Sequence, residues 1–226
     1  MRLFLFDVDG TLVDVGGAGR AALERAFGEV FAVPDPRGLL QPIRFDGGTD
    51  QGILRVAVER AGLEPSRFRE RRGEFDAAYL RHLRDILAGP PRGSGVLPGV
   101  LPLLESLQAR GDALALMTGN SEAGARTKLA PFDLNRFFPV GAFGSDHEDR
   151  RALADLARRR VESRRRVRFE PVRVVVIGDS VMDVRAGKAH GFRTVAVLTG
   201  WTSREVLAAE NPDRLCVDLR ELPPEP

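Results

Sequence analysis

The first twelve residues, MRLFLFDVDGTL, constrain the fold more than any other stretch of the chain. A short apolar run from Leu3 to Phe6 ends at Asp7, and Asp9 and Gly10 follow. Such a run, bounded by turn-forming residues, predicts a strand of a parallel sheet that is buried on both faces. Residues two apart in an extended chain point the same way, so both carboxylates are expected to leave the strand tip together. In open α/β sheets, binding and catalytic groups lie at this end of the strands.

The Asp-x-Asp-Gly string also occurs in surface turns and in calcium-binding loops. An EF-hand loop needs a Glu at its twelfth position. The twelfth residue counted from Asp7 is Ala18, which excludes that loop. A plain turn remains an alternative for these residues when they are considered alone.

Later in the chain, short apolar runs alternate with helix-like segments of about ten residues. This alternation predicts an α/β fold with a doubly wound, Rossmann-like parallel-sheet core. Strands are predicted at Ala113 to Met117, Phe137 to Phe143, Val172 to Ile177, Thr194 to Leu198 and Arg214 to Val217, and helices at Val100 to Arg110, Ser121 to Ala130, Arg150 to Glu162, Val181 to His190 and Ser203 to Ala209.

Residues 14–90, in contrast, show only helical periodicity. A first helix there is expected to stop at Pro34 and Pro36 and to be followed by a loop. One long polar helix is predicted from Ser66 through about Leu87.

This helical stretch interrupts the alternation directly after the first strand. We therefore expect an inserted helical cap at residues 14–95, on an α/β core formed by residues 1–13 and 96–226. The segment Gly89 to Gly95, rich in glycine and proline, is the predicted linker back to the core.

Composition excludes several classes of protein. The formal net charge is +2 and 43% of residues are hydrophobic, so no strong field draws the chain to nucleic acid or membrane. The one cysteine, Cys216, precludes an intrachain disulfide and favours a reducing compartment. No apolar run reaches the roughly 18 residues of a membrane span. We expect a cytoplasmic protein, a monomer or a homodimer, that binds neither nucleic acid nor membranes.

Two further predicted strands end in polar residues. Parallel strands bring their carboxyl ends to one edge, so these residues are expected to meet the two aspartates of the first strand tip. All the candidate ligands are oxygens, which favours a hard cation, most plausibly Mg²⁺, with a phosphate group held by a hydroxyl and backbone N–H groups. The residues are Thr118, Gly119 and Asn120 after the first of these strands, and Asp179 and Asp183 after the second.

Together, the strings DVDGTL, TGN and GDSVMD resemble three of the four signature motifs of the haloacid dehalogenase-like (HAD) hydrolase superfamily, in the family's order. The resemblance implies that Asp7 is a nucleophile and Mg²⁺ ligand. It implies that Asp9 is the general acid/base, with its backbone carbonyl on the metal. It further implies that Thr118, Gly119 and Asn120 hold the phosphoryl group, that Asp179 is a metal ligand, and that Asp183 supports the metal directly or through water.

The fourth family motif is a cation, usually Lys, that neutralises the nucleophile and the phosphoryl group. Here the sequence departs from the pattern, because no Lys lies between Lys128 and the GDSVMD string. Arg150 is the favoured candidate and Arg151 the alternative; both also fit solvated arginines at a helix start. Lys128 is expected on the surface or just outside the site.

Within the predicted cap, the segment Phe45 to Asp50 resembles one common in phosphoglycolate-phosphatase-like members of the superfamily. The resemblance implies that Gly47, Gly48 and Thr49 bear on substrate specificity. Thr49 or Asp50 also fits a simple helix cap.

The resemblance thus implies a Mg²⁺-dependent phosphatase that acts on a small phosphorylated metabolite through an aspartyl-phosphate intermediate. A phosphomutase of the same superfamily is the alternative. A metal-free dehalogenase is disfavoured because its chemistry does not need the acid/base at Asp9. A phospho-receiver domain is disfavoured because it needs no cap.

Overall fold

The computed structural model of the protein describes residues 1–90, 92–93 and 95–222. Two residues of the predicted linker, Pro91 and Ser94, lie outside the described residues. Within the described part of the chain, the strands are β1 (Leu3–Phe6), β2 (Val13–Asp14), β3 (Gly95–Val96), β4 (Ala113–Thr118), β5 (Gly141–Phe143), β6 (Val174–Gly178), β7 (Arg193–Val197) and β8 (Arg214–Cys216). The α-helices are α1 (Ala18–Phe31), α2 (Pro36–Leu40), α3 (Asp50–Arg60), α4 (Pro65–Glu70), α5 (Arg72–Ala88), α6 (Val100–Ala109), α7 (Glu122–Leu129), α8 (Arg150–Arg165), α9 (Val181–Lys188) and α10 (Arg204–Ala209).

Six of these strands form one parallel sheet in the order β5-β4-β1-β6-β7-β8. The α/β fold with a doubly wound parallel sheet is therefore confirmed. Strand β1 lies in the middle, and its last residue, Phe6, pairs with Leu116 of β4 and Ile177 of β6. This register brings the carboxyl ends of three strands to the same level.

Alternate residues of the strands cover the two faces of the sheet, as the pleat requires. Leu5 and Val176 pack with Leu153 and Ala157 of α8 on one face. On the opposite face, side chains such as Phe6 join the apolar residues of α6 and α7 in the larger core. Because both faces are covered, the strands read as continuous apolar runs in the sequence.

Three predicted elements differ from the structure. The strand at Phe137 to Phe143 is shorter than predicted, since only Gly141–Phe143 pairs in the sheet. The long helix from Ser66 to Leu87 is two helices, because Arg71 leaves helical geometry with ψ near 11°. The break lets Phe68 meet Phe75 at 5.4 Å between ring centroids.

The predicted loop after the first helix contains α2. Its first residue is Pro36, and the side chain of Asp35 caps the helix by accepting the N–H of Gly38. A proline suits the first turn of a helix because that turn has no use for its missing N–H. From the sequence, Pro36 is predicted only to end the preceding helix.

Helices α1, α4 and α5 pack against one another through aromatic side chains of the larger core. Phe75 of α5 lies against Phe27 of α1 at 4.8 Å and 61°, an edge-to-face contact. Phe31 and Phe68 complete the cluster around it. These aromatic rings hold together helices that are far apart in the sequence.

The two ends of this helical stretch leave the sheet side by side. Strands β2 and β3 pair antiparallel, with Asp14 opposite Gly95. Just beyond the pair, Gly16 packs against the backbone of Arg92, with no room for a side chain between them. The outgoing and returning chains are thus in direct contact.

None of the helices in the described part of the chain is long and apolar enough to cross a membrane.

Replacing Phe75 by Ala should lower the free energy of unfolding by about 3–5 kcal/mol, because the ring is 1% exposed and its loss leaves a cavity among three other rings. Urea denaturation followed by circular dichroism measures this change. The matched control is Val172→Ala, at a residue that is 60% exposed, which should change stability by less than about 0.5 kcal/mol. Equal effects of the two substitutions would contradict the packing described here.

Candidate active site

A cavity of about 680 Å³ lies where the carboxyl edge of the sheet meets the helical stretch. Its floor carries the polar residues of the three strand tips, and its upper wall comes from α1, α3, α5 and the segment before α3. The lining residues are Asp7, Asp9, Thr118, Gly119, Asn120, Lys128, Arg150, Asp179 and Trp201 on one side, and Asp14, Val15, Gly16, Gly17, Gly19, Arg20, Leu23, Ile43, Arg44, Phe45, Asp46, Gly47, Gly48, Asp50, Ile53 and Tyr79 on the other.

Arg150 is the cation that faces Asp7. It is the first residue of α8, where Asp149 caps the helix. Its guanidinium lies 2.8 Å from Asp7 Oδ2 and 2.6 Å from Asp183 Oδ1, and the side chain is 3% exposed. The alternative, Arg151, points away: its side chain is 62% exposed and pairs with Asp149.

Three carboxylates share this buried space. Oxygen atoms of Asp7, Asp179 and Asp183 lie within 4.8 Å of one another. Burial raises the pKa of Asp7 to about 6, although Arg150 opposes the rise. Burial, and then the charge of Asp7, raise the pKa of Asp179 well above its usual range. Three carboxylates against one guanidinium leave negative charge in excess, so the group suits a bound cation.

The oxygens of Asp183 already have protein partners. One accepts from Arg150, with contacts of 2.6 and 3.0 Å. The other accepts from the hydroxyl and the N–H of Ser180, at 2.6 and 3.1 Å, in the capping box that begins α9. The carboxylate of Asp183 therefore holds Arg150 in place as well as adding charge to the acidic group.

Asp9 lines the same cavity, but its carboxylate has different partners from that of Asp7. Asp9 Oδ2 accepts from Asn120 Nδ2 at 2.9 Å and from Lys128 Nζ at 2.5 Å. Asn120 Nδ2 also lies 2.9 Å from the hydroxyl of Thr118. The strand tip thus presents two carboxylates that are held by two separate cations.

The expectation that Lys128 lies on the surface or outside the site is corrected here. The residue is 5% exposed, lines the cavity, and contacts Asp9 and Asn120 directly. One sequence signal points to this position. Lys128 follows Gly124 by four residues and Ala125 by three, so it lies on the buried face of α7.

The segment before α3 meets the core at the cavity. Gly47 and Gly48 line it, but Thr49 is not among the described lining residues. The hydroxyl of Thr49 caps α3 by accepting the N–H of Gly52, and it donates to the carbonyl of Glu148 at 2.9 Å. Thr49 is therefore occupied in joining the segment to the core.

Asp50 and Gly119 form the closest part of this contact. The N–H of Asp50 donates to the carbonyl of Gly119 at 2.6 Å, and Asp50 Oδ2 accepts the N–H of Ser121 at 2.6 Å. A methyl group at position 119 would overlap the carbonyl of Gly48, so this approach requires glycine. Asp50 lines the cavity. The sequence placed it in the segment that resembles phosphoglycolate-phosphatase-like members, with a simple helix cap as the alternative.

The fold is that of an α/β protein with a polar site at the carboxyl edge of its parallel sheet, where such proteins bind their ligands. The sequence model of the haloacid dehalogenase-like hydrolase family matches residues 1–191, most of the chain. The chain therefore belongs to the haloacid dehalogenase-like hydrolase family, and the predicted membership is confirmed.

Several phosphoglycolate phosphatases are similar to this protein along nearly the whole chain. The phosphoglycolate phosphatase of Synechococcus elongatus is 29% identical over 95% of this chain and 92% of its own length. That of Escherichia coli K12 is 27% identical over 99% of this chain and 92% of its own length. The crystal structure of a hydrolase from Pseudomonas syringae aligns with a TM-score of 0.71 at 20% identity, covering 98% of this chain and 96% of that one, and shows the same fold.

Replacing Arg150 by Met should lower the free energy of unfolding by about 3–5 kcal/mol, because it leaves Asp7 and Asp183 buried without their cation. Denaturation by urea in metal-free buffer provides the measurement. The neighbouring substitution Arg151→Met should cost less than about 0.5 kcal/mol, since that side chain is in solvent. A larger loss for Arg151→Met than for Arg150→Met would overturn the assignment of Arg150 as the buried cation.

Proposed function

We propose that the protein is a phosphatase that hydrolyses a small phosphomonoester through a phosphorylated Asp7. The observation that carries this proposal is the buried carboxylate of Asp7 on the cavity floor, 2.8 Å from Arg150, with the carboxylate of Asp9 in the same cavity. Curated relatives along nearly the whole chain are phosphoglycolate phosphatases, which supports the same reaction.

In the proposed first step, an oxygen of Asp7 attacks phosphorus and the bond from phosphorus to the leaving oxygen breaks. Asp9 gives its proton to that oxygen, and the alcohol leaves. In the second step, Asp9 takes a proton from water as the water attacks the phosphorus of the aspartyl phosphate. The bond between Asp7 and phosphorus breaks, inorganic phosphate is released, and both carboxyl groups return to their starting state.

Arg150 and the strand tip of β4 are proposed to hold the phosphoryl group. The guanidinium contacts Asp7 Oδ2, so it is placed to balance charge on the transferring group. Thr118, Gly119 and Asn120 line the floor beside it, and backbone N–H groups there suit phosphate oxygens. The side chain of Asn120 has a second task, because it also donates to Asp9.

The acidic group fits Mg²⁺, since its donors are oxygens and its charge is in excess of the one arginine. Asp7, Asp179 and the backbone carbonyl of Asp9 are the proposed ligands, and Asp183 supports the site through Arg150 or a water. When bound, the ion would neutralise the acidic group and polarise the phosphoryl oxygens.

Residues 14–95 are proposed to act as a cap that selects the substrate, and Gly47 and Gly48 are its proposed contacts near the floor. Both connections between this segment and the core lie at one place, because β2 pairs with β3 and Gly16 packs against Arg92. Motion about that point would admit substrate and then exclude water. By analogy with the curated relatives, the proposed substrate class is a small phosphorylated acid.

Replacing Asp7 by Asn should abolish turnover, with a loss of more than about 10⁴-fold in kcat, because the amide cannot act as the nucleophile. Release of inorganic phosphate from 2-phosphoglycolate and from a panel of phosphorylated metabolites, with Mg²⁺ present, is the assay. Substantial Mg²⁺-dependent turnover by Asp7→Asn would overturn the proposal. Transfer of the phosphoryl group to a sugar, in place of phosphate release, would indicate a mutase.

Mg²⁺ should stabilise the protein more at about pH 7.5 than at about pH 5, because metal binding requires ionised carboxylates. Without metal, the pKa of Asp7 lies near 6 in the folded protein against an ordinary value of 3.8. The folded state therefore binds the proton more tightly than the unfolded state, and stability from this group is lost as pH rises from about 4 to 6. Bound Mg²⁺ offsets that loss.

Thermal denaturation with and without Mg²⁺ at the two pH values tests this linkage. The substitution Asp179→Asn should remove most of the Mg²⁺-dependent rise in Tm. A rise that is equal at both pH values, or that persists in Asp179→Asn, would contradict the proposed metal site.

A further inference from the structure

Lys128 is a buried lysine that belongs to none of the motifs. The chain has two lysines. The other, Lys188, is exposed and donates to the carbonyl of Glu210 at the end of α10. We infer that Lys128 is a positioning residue that fixes the carboxylate of Asp9 toward the leaving group. This inference rests on the proposed phosphatase function and adds a residue to that site.

Three groups form a closed triangle in the cavity. Lys128 Nζ donates to Asp9 Oδ2 at 2.5 Å and to Asn120 Oδ1 at 2.6 Å. Asn120 Nδ2 donates to the same oxygen of Asp9 at 2.9 Å. Two donors from the core therefore hold one carboxylate oxygen, and each of them orients the other.

The helix α1 leaves space for the ammonium group of Lys128, because a glycine lies beside that group. Gly19, in the first turn of α1, faces Lys128, and a methyl group there would lie 3.1 Å from Nζ. The phenol of Tyr79 in α5 lies close to the same position. A larger side chain at residue 19 would therefore crowd the ammonium group of Lys128, and glycine avoids that contact.

Burial makes the arrangement specific. A charged ammonium group that is 5% exposed is costly unless it has charged or polar partners in good geometry. Asp9 and Asn120 supply those partners. Loss of the lysine would leave the Asp9 carboxylate without its charged donor and free to turn toward Arg150 or the metal.

In the proposed reaction, the two cations hold different carboxylates. Arg150 holds Asp7, and Lys128 holds Asp9, although the two aspartates are only two residues apart. The nucleophile and the acid must face different sides of one phosphorus atom. Two separate cations keep the two carboxylates in those two directions.

The test uses the full-length chain, the substitution Lys128→Met, and two aryl phosphates of similar shape. Phenyl phosphate has a poor leaving group that needs a proton, whereas 4-nitrophenyl phosphate has a good one that does not. We expect the loss of kcat to be at least about tenfold greater for phenyl phosphate than for 4-nitrophenyl phosphate, because general acid catalysis contributes about 10²–10⁴-fold. Equal losses for the two substrates would overturn the inference.

A double-mutant cycle gives a second, independent measurement. In an Asp9→Asn background, Lys128→Met should cause little further loss with phenyl phosphate, since both residues serve the same step. Independent, additive losses would overturn the inference. Lys128→Gln keeps a hydrogen-bond donor but removes the charge, and should give an intermediate loss of kcat. If Lys128→Met does not fold, Lys128→Gln replaces it in both tests. Lys188→Met, the matched control, should leave kcat unchanged.

Failure of this inference can be told apart from failure of the proposed function. The phosphatase proposal fails if the unaltered protein releases no phosphate from any of the phosphorylated metabolites, and its route through a phosphorylated Asp7 fails if turnover survives Asp7→Asn. An inactive Asp7→Asn together with equal losses for the two aryl phosphates in Lys128→Met removes only the role of Lys128.

Discussion

The contact of Arg150 with two buried aspartates is the interaction on which the active site depends. The guanidinium at the start of α8 joins Asp7, after β1, to Asp183, in α9. Burying such charges costs several kcal/mol for each ion, and only good geometry with further hydrogen bonds repays it. Here the capping box of α9 supplies those hydrogen bonds, and Asp149 fixes the start of α8. One ionic contact therefore connects a strand tip and the starts of two helices at Asp7, the proposed nucleophile.

Most of this arrangement is predictable because it follows from the sheet. Apolar runs that end in Asp7, Thr118 and Asp179 identify the strands, and parallel strands must bring those ends to one edge. Helix periodicity does not say where a helix lies in space, so the partners of Lys128 and Asp50 were missed. Both residues make contacts across more than 70 positions of sequence. The break at Arg71 is another difference from the prediction. Arginine is an adequate helix former, but here the chain leaves helical geometry and Phe68 packs on Phe75.

The segment before α3 and the start of α3 contact the core through both backbone and side-chain groups. The N–H of Asp50 donates to the carbonyl of Gly119, and the hydroxyl of Thr49 donates to the carbonyl of Glu148. The carbonyl of Gly48 lies so close to Gly119 that a methyl group at position 119 has no room. The upper wall of the cavity includes large side chains such as Phe45 and Tyr79, which also pack in the apolar core of the helical stretch.

The pairing of Asp14 with Gly95 has a consequence for how such a chain can change over time. Because the outgoing and returning strands lie side by side, the segment between them is covalently connected to the rest of the chain at one place, although it also contacts the core near Asp50. Its length or helix number can change by insertion, deletion or recombination without shifting the register of β1 against its neighbours. With the proposed role of residues 14–95 in substrate selection, reaction chemistry and substrate choice are encoded in separable parts of one gene. A lineage with such a gene can keep the residues at the strand tips while it acquires new substrates through changes in that segment.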